Sequence, residues 1–206
     1  PNSTSGWTTS LGDNGYTSEC NGQTIIGGYD KFGKGAWAKK IYSGLPAHNT
    51  ISLEFDAYFI DSWDGEKYLV EVDSVNVYSH PHRYVNSSVN FCGASYPDYQ
   101  TAVNLGPISH NSTSIILHFH SGLDQTANDE SFGFKNIKIT VHAFCATACV
   151  TCFGNSESEC YSCADGWYLS GTTCLISCPA AGYWGDTATK TCKPCYSDST
   201  SSLFSC

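Results

Sequence analysis

Ten of the chain's twelve cysteines lie after residue 144, and that crowding constrains the fold more than any other feature. The segment around them is Ser, Thr and Gly with few aliphatic side chains. It cannot bury a core of its own and has to be stapled, each bridge contributing about 2–4 kcal/mol by restricting the unfolded chain. Cys-x2-Cys occurs three times, at 149/152, 160/163 and 192/195. Such pairs are read either as neighbouring rungs of a disulfide ladder or as zinc knuckles. No His is interleaved with them, which favours the ladder. Disulfides at this density imply an oxidising, extracellular compartment.

Before residue 145 the pattern changes. Ile51, Leu53, Phe55, Ala57 and Phe59 alternate with Ser52, Glu54, Asp56 and Tyr58, the period of a half-buried strand. Tyr68, Val70 and Val72 alternate likewise, as do Ile115, Leu117 and Phe119, and then Ile137, Ile139, Val141 and Ala143. Further strands are predicted near Trp7–Leu11, Ala36–Tyr42, 67–79 and Thr101–Leu105. Turns are predicted at the glycines of 27–35, at Gly44-Leu-Pro46, and from Pro81 through the Asn/Ser run at 86–90. No segment has helical period over helical length. The prediction is an all-β chain: a jelly-roll-like β-sandwich over 1–144, then a small disulfide-rich module over 145–206.

The net charge of −9 argues against a nucleic-acid partner, whose phosphates would repel it. No apolar run approaches the roughly 20 residues of a membrane span. Asn2, Asn86 and Asn111 each begin an acceptor sequon for N-linked glycans. The chain starts at Pro1 and has no Met, which reads as a processed form or a fragment.

Two acidic stretches interrupt the strands: Phe59-Ile-Asp-Ser-Trp-Asp-Gly-Glu66 and Leu123-Asp-Gln-Thr-Ala-Asn-Asp-Glu-Ser131. If these loops meet, Asp61, Asp64, Glu66, Asp124, Asn128, Asp129 and Glu130 supply the hard oxygen ligands that Ca2+ requires. Two other readings compete. These residues suit solvated turns, and Asp61 or Asp124 suits a network accepting buried backbone N–H groups. A glycosidase pair would need two carboxyls about 5–9.5 Å apart across a cleft, and no motif singles out an acid and a nucleophile. Trp63 is a candidate sugar-stacking ring. His118 and His120 share a strand face and, with His142 on a neighbouring strand, form a candidate zinc or copper set. His80-Pro-His82 is read as a loop.

Cys145-x3-Cys-x2-Cys-Phe-Gly, Cys-x2-Cys-Ala-Asp-Gly-Trp-Tyr-Leu169 and Cys-x3-Cys-Pro-x3-Gly-Tyr183 together resemble the furin-like cysteine-rich repeat of growth-factor-receptor ectodomains. The front segment resembles a domain that precedes such repeats in large secreted or cell-surface proteins of protists. The motifs concerned are Gly27-Gly-Tyr-Asp-Lys-Phe-Gly33, Gly44-Leu-Pro-Ala-His48, Phe59-Ile-Asp-Ser-Trp-Asp64, Cys92-Gly93 and Leu123-Asp-x4-Asp-Glu-Ser131. That family usually carries Trp where this chain has Phe132. The repeat's pairing, carried over, implies Cys145–Cys152, Cys149–Cys160, Cys163–Cys174 and Cys178–Cys192. It leaves Cys195–Cys206 and Cys20–Cys92, and the spacing alone permits many other connectivities.

The expected function is a non-catalytic, secreted or cell-surface, glycosylated structural or adhesion module, such as a subunit of a coat or filament. Its expected partners are other copies of itself or other extracellular glycoproteins and glycans. The Ser/Thr-rich residues 1–10 are a candidate segment for pairing with a neighbour's sheet edge. A calcium-dependent lectin-like module and a receptor ectodomain fragment are the alternatives.

Overall fold

The alternation at 51–59 does form a strand, and a computed structural model of the chain places it inside a five-stranded sheet, one position from the edge. The structure describes residues 4–12, 15–85, 89–180, 182–197 and 204–205. Two compact units are present. One consists of Pro1–Leu45, Ile51–Ile108 and Thr113–Thr140; the other consists of Pro46–Thr50, Ser109–Ser112 and Val141–Cys206.

Among the described residues, ten strands lie wholly or mainly in the first unit: β1 (Thr8–Thr9), β2 (Thr17–Cys20), β3 (Gln23–Gly27), β4 (Trp37–Ser43), β5 (Thr50–Asp61), β6 (Asp64–Val72), β7 (Val75–Arg83), β8 (Tyr99–Ser109), β9 (Ser114–Ser121) and β10 (Glu130–His142). They form two five-stranded sheets in the orders β1-β4-β9-β6-β7 and β2-β3-β10-β5-β8. This is an all-β, jelly-roll-like sandwich. The period-two pattern sends Phe55, Val70, Phe119 and Phe134 into its core. Phe119 of β9 stacks on Phe134 of β10 with centroids 3.9 Å apart, joining the two sheets, and Phe55 meets Phe119 edge-on at 5.1 Å. Fully burying each such side chain contributes roughly 1.5–3 kcal/mol.

Several boundaries differ from the sequence reading, for local reasons. The 67–79 run breaks into a hairpin at Asp73-Ser74, both at positive φ (49° and 68°), and Asn21-Gly22 turns β2 into β3 in the same manner. Pro81, expected in a loop, lies within β7 together with His80 and His82. β7 is an edge strand, the sheet position that tolerates proline because one side of its backbone has no ladder partner. Thr8 and Thr9, expected in a segment offered to a neighbour, pair with Lys39 and Ala38 of the chain's own β4.

Among the described residues the second unit has three small sheets, one of them the pairing of Tyr196–Ser197 with Phe204–Ser205. β11 (Cys149–Cys152) pairs with β12 (Cys160–Cys163). β13 (Tyr168–Ser170), β14 (Thr173–Leu175), β15 (Tyr183–Asp186) and β16 (Thr191–Pro194) form a four-stranded sheet in the order β14-β13-β16-β15. Disulfides join Cys145–Cys152, Cys149–Cys160, Cys163–Cys174 and Cys178–Cys192. Ala148 and the half-cystines 149, 160, 163 and 174 form this unit's small buried cluster, flanked by Trp167 and Leu169. These sulfurs are spent in disulfides, so the Cys-x2-Cys pairs are rungs of a ladder. The predicted Cys195–Cys206 bridge lies outside the described residues, as do Asn2 and Asn86. Asn111 is exposed, between β8 and β9.

Candidate functional site

The turn after β5 is built around Asp61, which adopts a left-handed backbone (φ 64°). The Trp63 amide donates back to the Asp61 carbonyl at 3.0 Å, so the chain doubles on itself and Trp63 enters the core. Its ring is 0% exposed, its Nε1 donates to the Ser131 carbonyl at 2.9 Å, and it packs edge-on against Phe59. Trp63 therefore cannot stack on a sugar. Its burial between the two sheets overturns that expectation.

Asp61 is engaged elsewhere as well. Its carboxylate accepts the backbone N–H groups of Ala94 (2.9 and 3.0 Å) and Tyr96 (3.2 Å). In return the Asp61 N–H donates to Asp98, whose other oxygen accepts Phe91 N–H (2.8 Å) and Cys92 N–H (2.7 Å). These two aspartates clasp the 91–98 loop over the outer face of β5, where Tyr58 and Ile60 are buried with Cys20 and Phe91. The Cys20–Cys92 disulfide staples the same loop. Gly93 makes the approach possible: a Cβ there would lie 2.2 Å from Asp61 Oδ2. Burial raises both carboxyls, Asp61 and Asp98, against the lowering effect of the N–H donors. Asp61 is thus a structural network residue. No sequence motif marked Asp98; the nearest signal is its place after Pro97, a dipeptide that reads as a turn.

The two acidic loops do meet. Ser62 N–H donates to the Asp129 carbonyl (3.3 Å), and Ser62 Oγ donates to Asp129 Oδ1 (3.0 Å). The second loop is wound tightly, with the Asp129 and Glu130 amides both bonding the Thr126 carbonyl, and Asn128 Oδ1 accepting from Thr126 Oγ1 at 2.7 Å. The 28–35 loop braces it: Asp30 N–H bonds the Ala127 carbonyl, and a Cβ on Gly33 would lie 2.5 Å from Ala127 N.

Of the seven predicted ligands, Glu66, Asp124 and Glu130 converge, each offering a carboxylate oxygen within 4.8 Å of the others. Asp61, Asn128 and Asp129 are held by the bonds just described. Asp64 is exposed, its carboxyl raised by a hydrogen bond to Glu66 and by that neighbour's charge, while Arg83 acts against both. Glu66 Oε2 accepts the Asp64 and Gly65 amides at 2.8 and 3.1 Å. Burial pushes Glu66 up, and these N–H donors outweigh it, so its carboxyl lies below the usual range. Glu130 contrasts with both. It is not a turn residue but the first residue of β10, 0% exposed, and neither carboxylate oxygen has a hydrogen-bond partner among the described residues. Burial first, and then the charges of Glu66, Asp124, Asp64 and Asp129, push its carboxyl up to about 7.

A second constellation lies on the outer face of the β1-β4-β9-β6-β7 sheet. Lys39, His118 and Glu71 form one cross-strand row; Trp37, His120 and Leu69 form the next. His118 Nδ1 is 2.8 Å from Glu71 Oε2, and His120 Nε2 is 3.5 Å from Oε1. The hydrogen bond from His118 holds Glu71 below its ordinary range. His142 lies on β10 of the other sheet, so the three-histidine set is not assembled; Glu71 takes its place beside the pair. Register between β6 and β9 was needed to find it, and sequence does not supply that. A shallow cleft of about 470 Å³ borders Trp37, Lys39, Glu71, Ile116 and His118.

No family model matches the chain. Among curated proteins it is similar to Furin-like protease 2 of Drosophila melanogaster, 40% identical over 53 residues, which is 26% of this chain and 3% of that protein. It is likewise similar to proprotein convertase subtilisin/kexin type 5 of Mus musculus, 40% identical over 52 residues, 25% of this chain and 3% of that one. Cysteine repeat modular protein 2 of Tetrahymena thermophila is 46% identical over 76 residues, covering 35% of this chain and 4% of the relative. These are partial likenesses to furin-like cysteine-rich regions, and the chain spans only a few per cent of each relative's length. Among solved structures, one described as "CBM4 structure and function" superposes with a TM-score of 0.35 at 10% identity, over 66% of this chain and 95% of that chain. The Agl-KA catalytic domain gives 0.30 at 13% identity, over 62% of this chain and 23% of that chain. Among the described residues no helix is long and apolar enough to cross a membrane.

Proposed function

We propose that the chain is a non-catalytic extracellular module in which the sandwich is the interacting part and the cysteine-rich unit a spacer. On this reading it serves a surface coat, filament or adhesive protein and carries N-linked glycans. One observation carries the reading. The clustered acids of the sandwich close on one another, within 4.8 Å and around a sealed Glu130, instead of facing each other across a cleft. Glycoside hydrolysis needs an accessible acid and a second carboxyl about 5–9.5 Å away with substrate between them. The disulfide ladder and the likeness to furin-like repeats support an oxidising, extracellular setting. The test is analytical ultracentrifugation and electron microscopy of purified chain across a wide concentration range. Ordered self-association supports a coat or filament subunit. A strict monomer with no ordered polymer at the highest concentration removes that version.

A carbohydrate-binding module is the second reading, and a different observation favours it. The indole of Trp37, flanked by Lys39, Glu71 and His118, borders the cleft on the sheet's outer face. A ring beside charged hydrogen-bonding groups is the chemistry that grips a sugar. A glycan array of wild type and Trp37→Ala decides it. Binding lost in the variant supports a lectin, and silence across the array leaves the structural reading.

A further inference from the structure

We propose that Glu66, Asp124 and Glu130 form a binding site for a hard divalent cation, calcium by size. The observation behind this is a satisfaction problem. Glu130 is fully buried at the start of β10, and both its oxygens lack a hydrogen-bond partner among the described residues. Buried carboxylates in proteins are paired, hydrogen-bonded or metal-bound, because an uncompensated charge out of water is costly. The charges that act most strongly on Glu130 are Glu66 and Asp64 on β6, and Asp124 and Asp129 on the loop before β10, all negative; the cation Arg83 of β7 acts on Asp64. Two compensations are available: a proton, or a cation shared with its neighbours.

The geometry favours the cation. Oxygens bound to one Ca2+ at about 2.4 Å stand at most about 4.8 Å apart, and the three carboxylates satisfy that limit pairwise. All the donors are oxygen, which selects calcium, magnesium or manganese over zinc and copper. Three carboxylates can supply up to six oxygens, and exposed Asp124 leaves room for water to complete a shell of six to eight. Magnesium demands near-octahedral geometry and keeps most of its water, which suits a sealed carboxylate poorly. The site also joins three separate pieces of chain: the start of β6, the loop after β9 and the first residue of β10.

The experiment uses the full chain, stripped with chelator and exchanged into metal-free buffer. Calcium and magnesium are titrated calorimetrically, and thermal unfolding is followed with each ion and with chelator. The expected result is a calcium heat and a higher unfolding midpoint. At a hundred times the dissociation constant the folded-to-unfolded ratio rises about 100-fold. Glu130→Gln should abolish the response. Asp124→Asn, a change at an exposed residue, should weaken binding at least tenfold, whereas Asp129→Asn, which removes a neighbouring charge but no ligand, should weaken it less. Identical midpoints and no heat with calcium overturn the proposal, as does a Glu130→Gln or Asp124→Asn protein that binds like wild type. Binding of magnesium in preference to calcium overturns the calcium assignment.

Discussion

Removing the charge of Glu130 should make the metal-free protein less sensitive to pH. Its carboxyl rises from 4.5 to about 7 on folding. That is about 2.5 powers of ten in proton affinity, or roughly 3 kcal/mol between the two protonation states at 1.36 kcal/mol per power. The sign follows from the raised value. Below pH 4.5 the group is neutral in both states and contributes nothing; between 4.5 and about 7 the folded state still holds the proton and the unfolded state releases it. Stability therefore falls through that window, and the penalty is complete above it. Glu130→Gln carries no charge at any pH, and its amide's own burial adds only a constant offset. The assay is urea unfolding in chelator at pH 4.5, 6, 7 and 8, read by the fluorescence of the buried tryptophans. The gap between variant and wild type should widen by about 3 kcal/mol across the series. A gap that stays constant with pH refutes the claim that Glu130 is an uncompensated buried carboxyl.

Gly93→Ala should destabilise the sandwich by about 1–3 kcal/mol, since its Cβ would meet Asp61 Oδ2 and its φ is +90°; denaturant midpoints measure this, and an unchanged midpoint removes the clasp. Serine at both Cys20 and Cys92 should cost about 4 kcal/mol, the loop-closure estimate for a sequence separation of 72, checked by the same unfolding. Glu71, held below its ordinary range by His118, contributes stability that is present above pH 4.5 and lost as pH falls through its lower folded value. Glu71→Gln should therefore flatten the acid limb of the stability profile, and an unaltered limb in circular dichroism would count against the pair.

Where sequence and structure part company, the reason is local. The strands were legible because Phe55, Val70 and Phe119 repeat every second residue with one face buried. Glu130 was taken for a turn residue because it lies in a polar run, Asn128-Asp129-Glu130-Ser131; the strand begins two residues before Phe132 and seven before Ile137, where the alternating pattern starts. Trp63 looked like a loop aromatic because nothing in the letters reports that Asp61 turns left-handed and sends the next ring inward. His80-Pro-His82 looked like punctuation, and only the edge position of β7 makes that proline compatible with a strand. Glu71 was invisible beside His118 because their meeting depends on which strands pair.

The clasp at 91–98 bears on the chain's behaviour under reduction. Asp98 holds the amides of Phe91 and Cys92, and Cys20 ends β2 beneath Tyr58 and Ile60. Neither anchor depends on the sulfur–sulfur bond. After reduction the two thiols would still face each other at an effective concentration of about millimolar or more, as short tethers give. Re-formation by thiol–disulfide exchange would then be close to intramolecular, and wrong pairings with the ten cysteines beyond residue 144 would compete poorly. The two aspartates thereby keep the sandwich's bridge apart from the ladder's, although all twelve sulfurs belong to one chain.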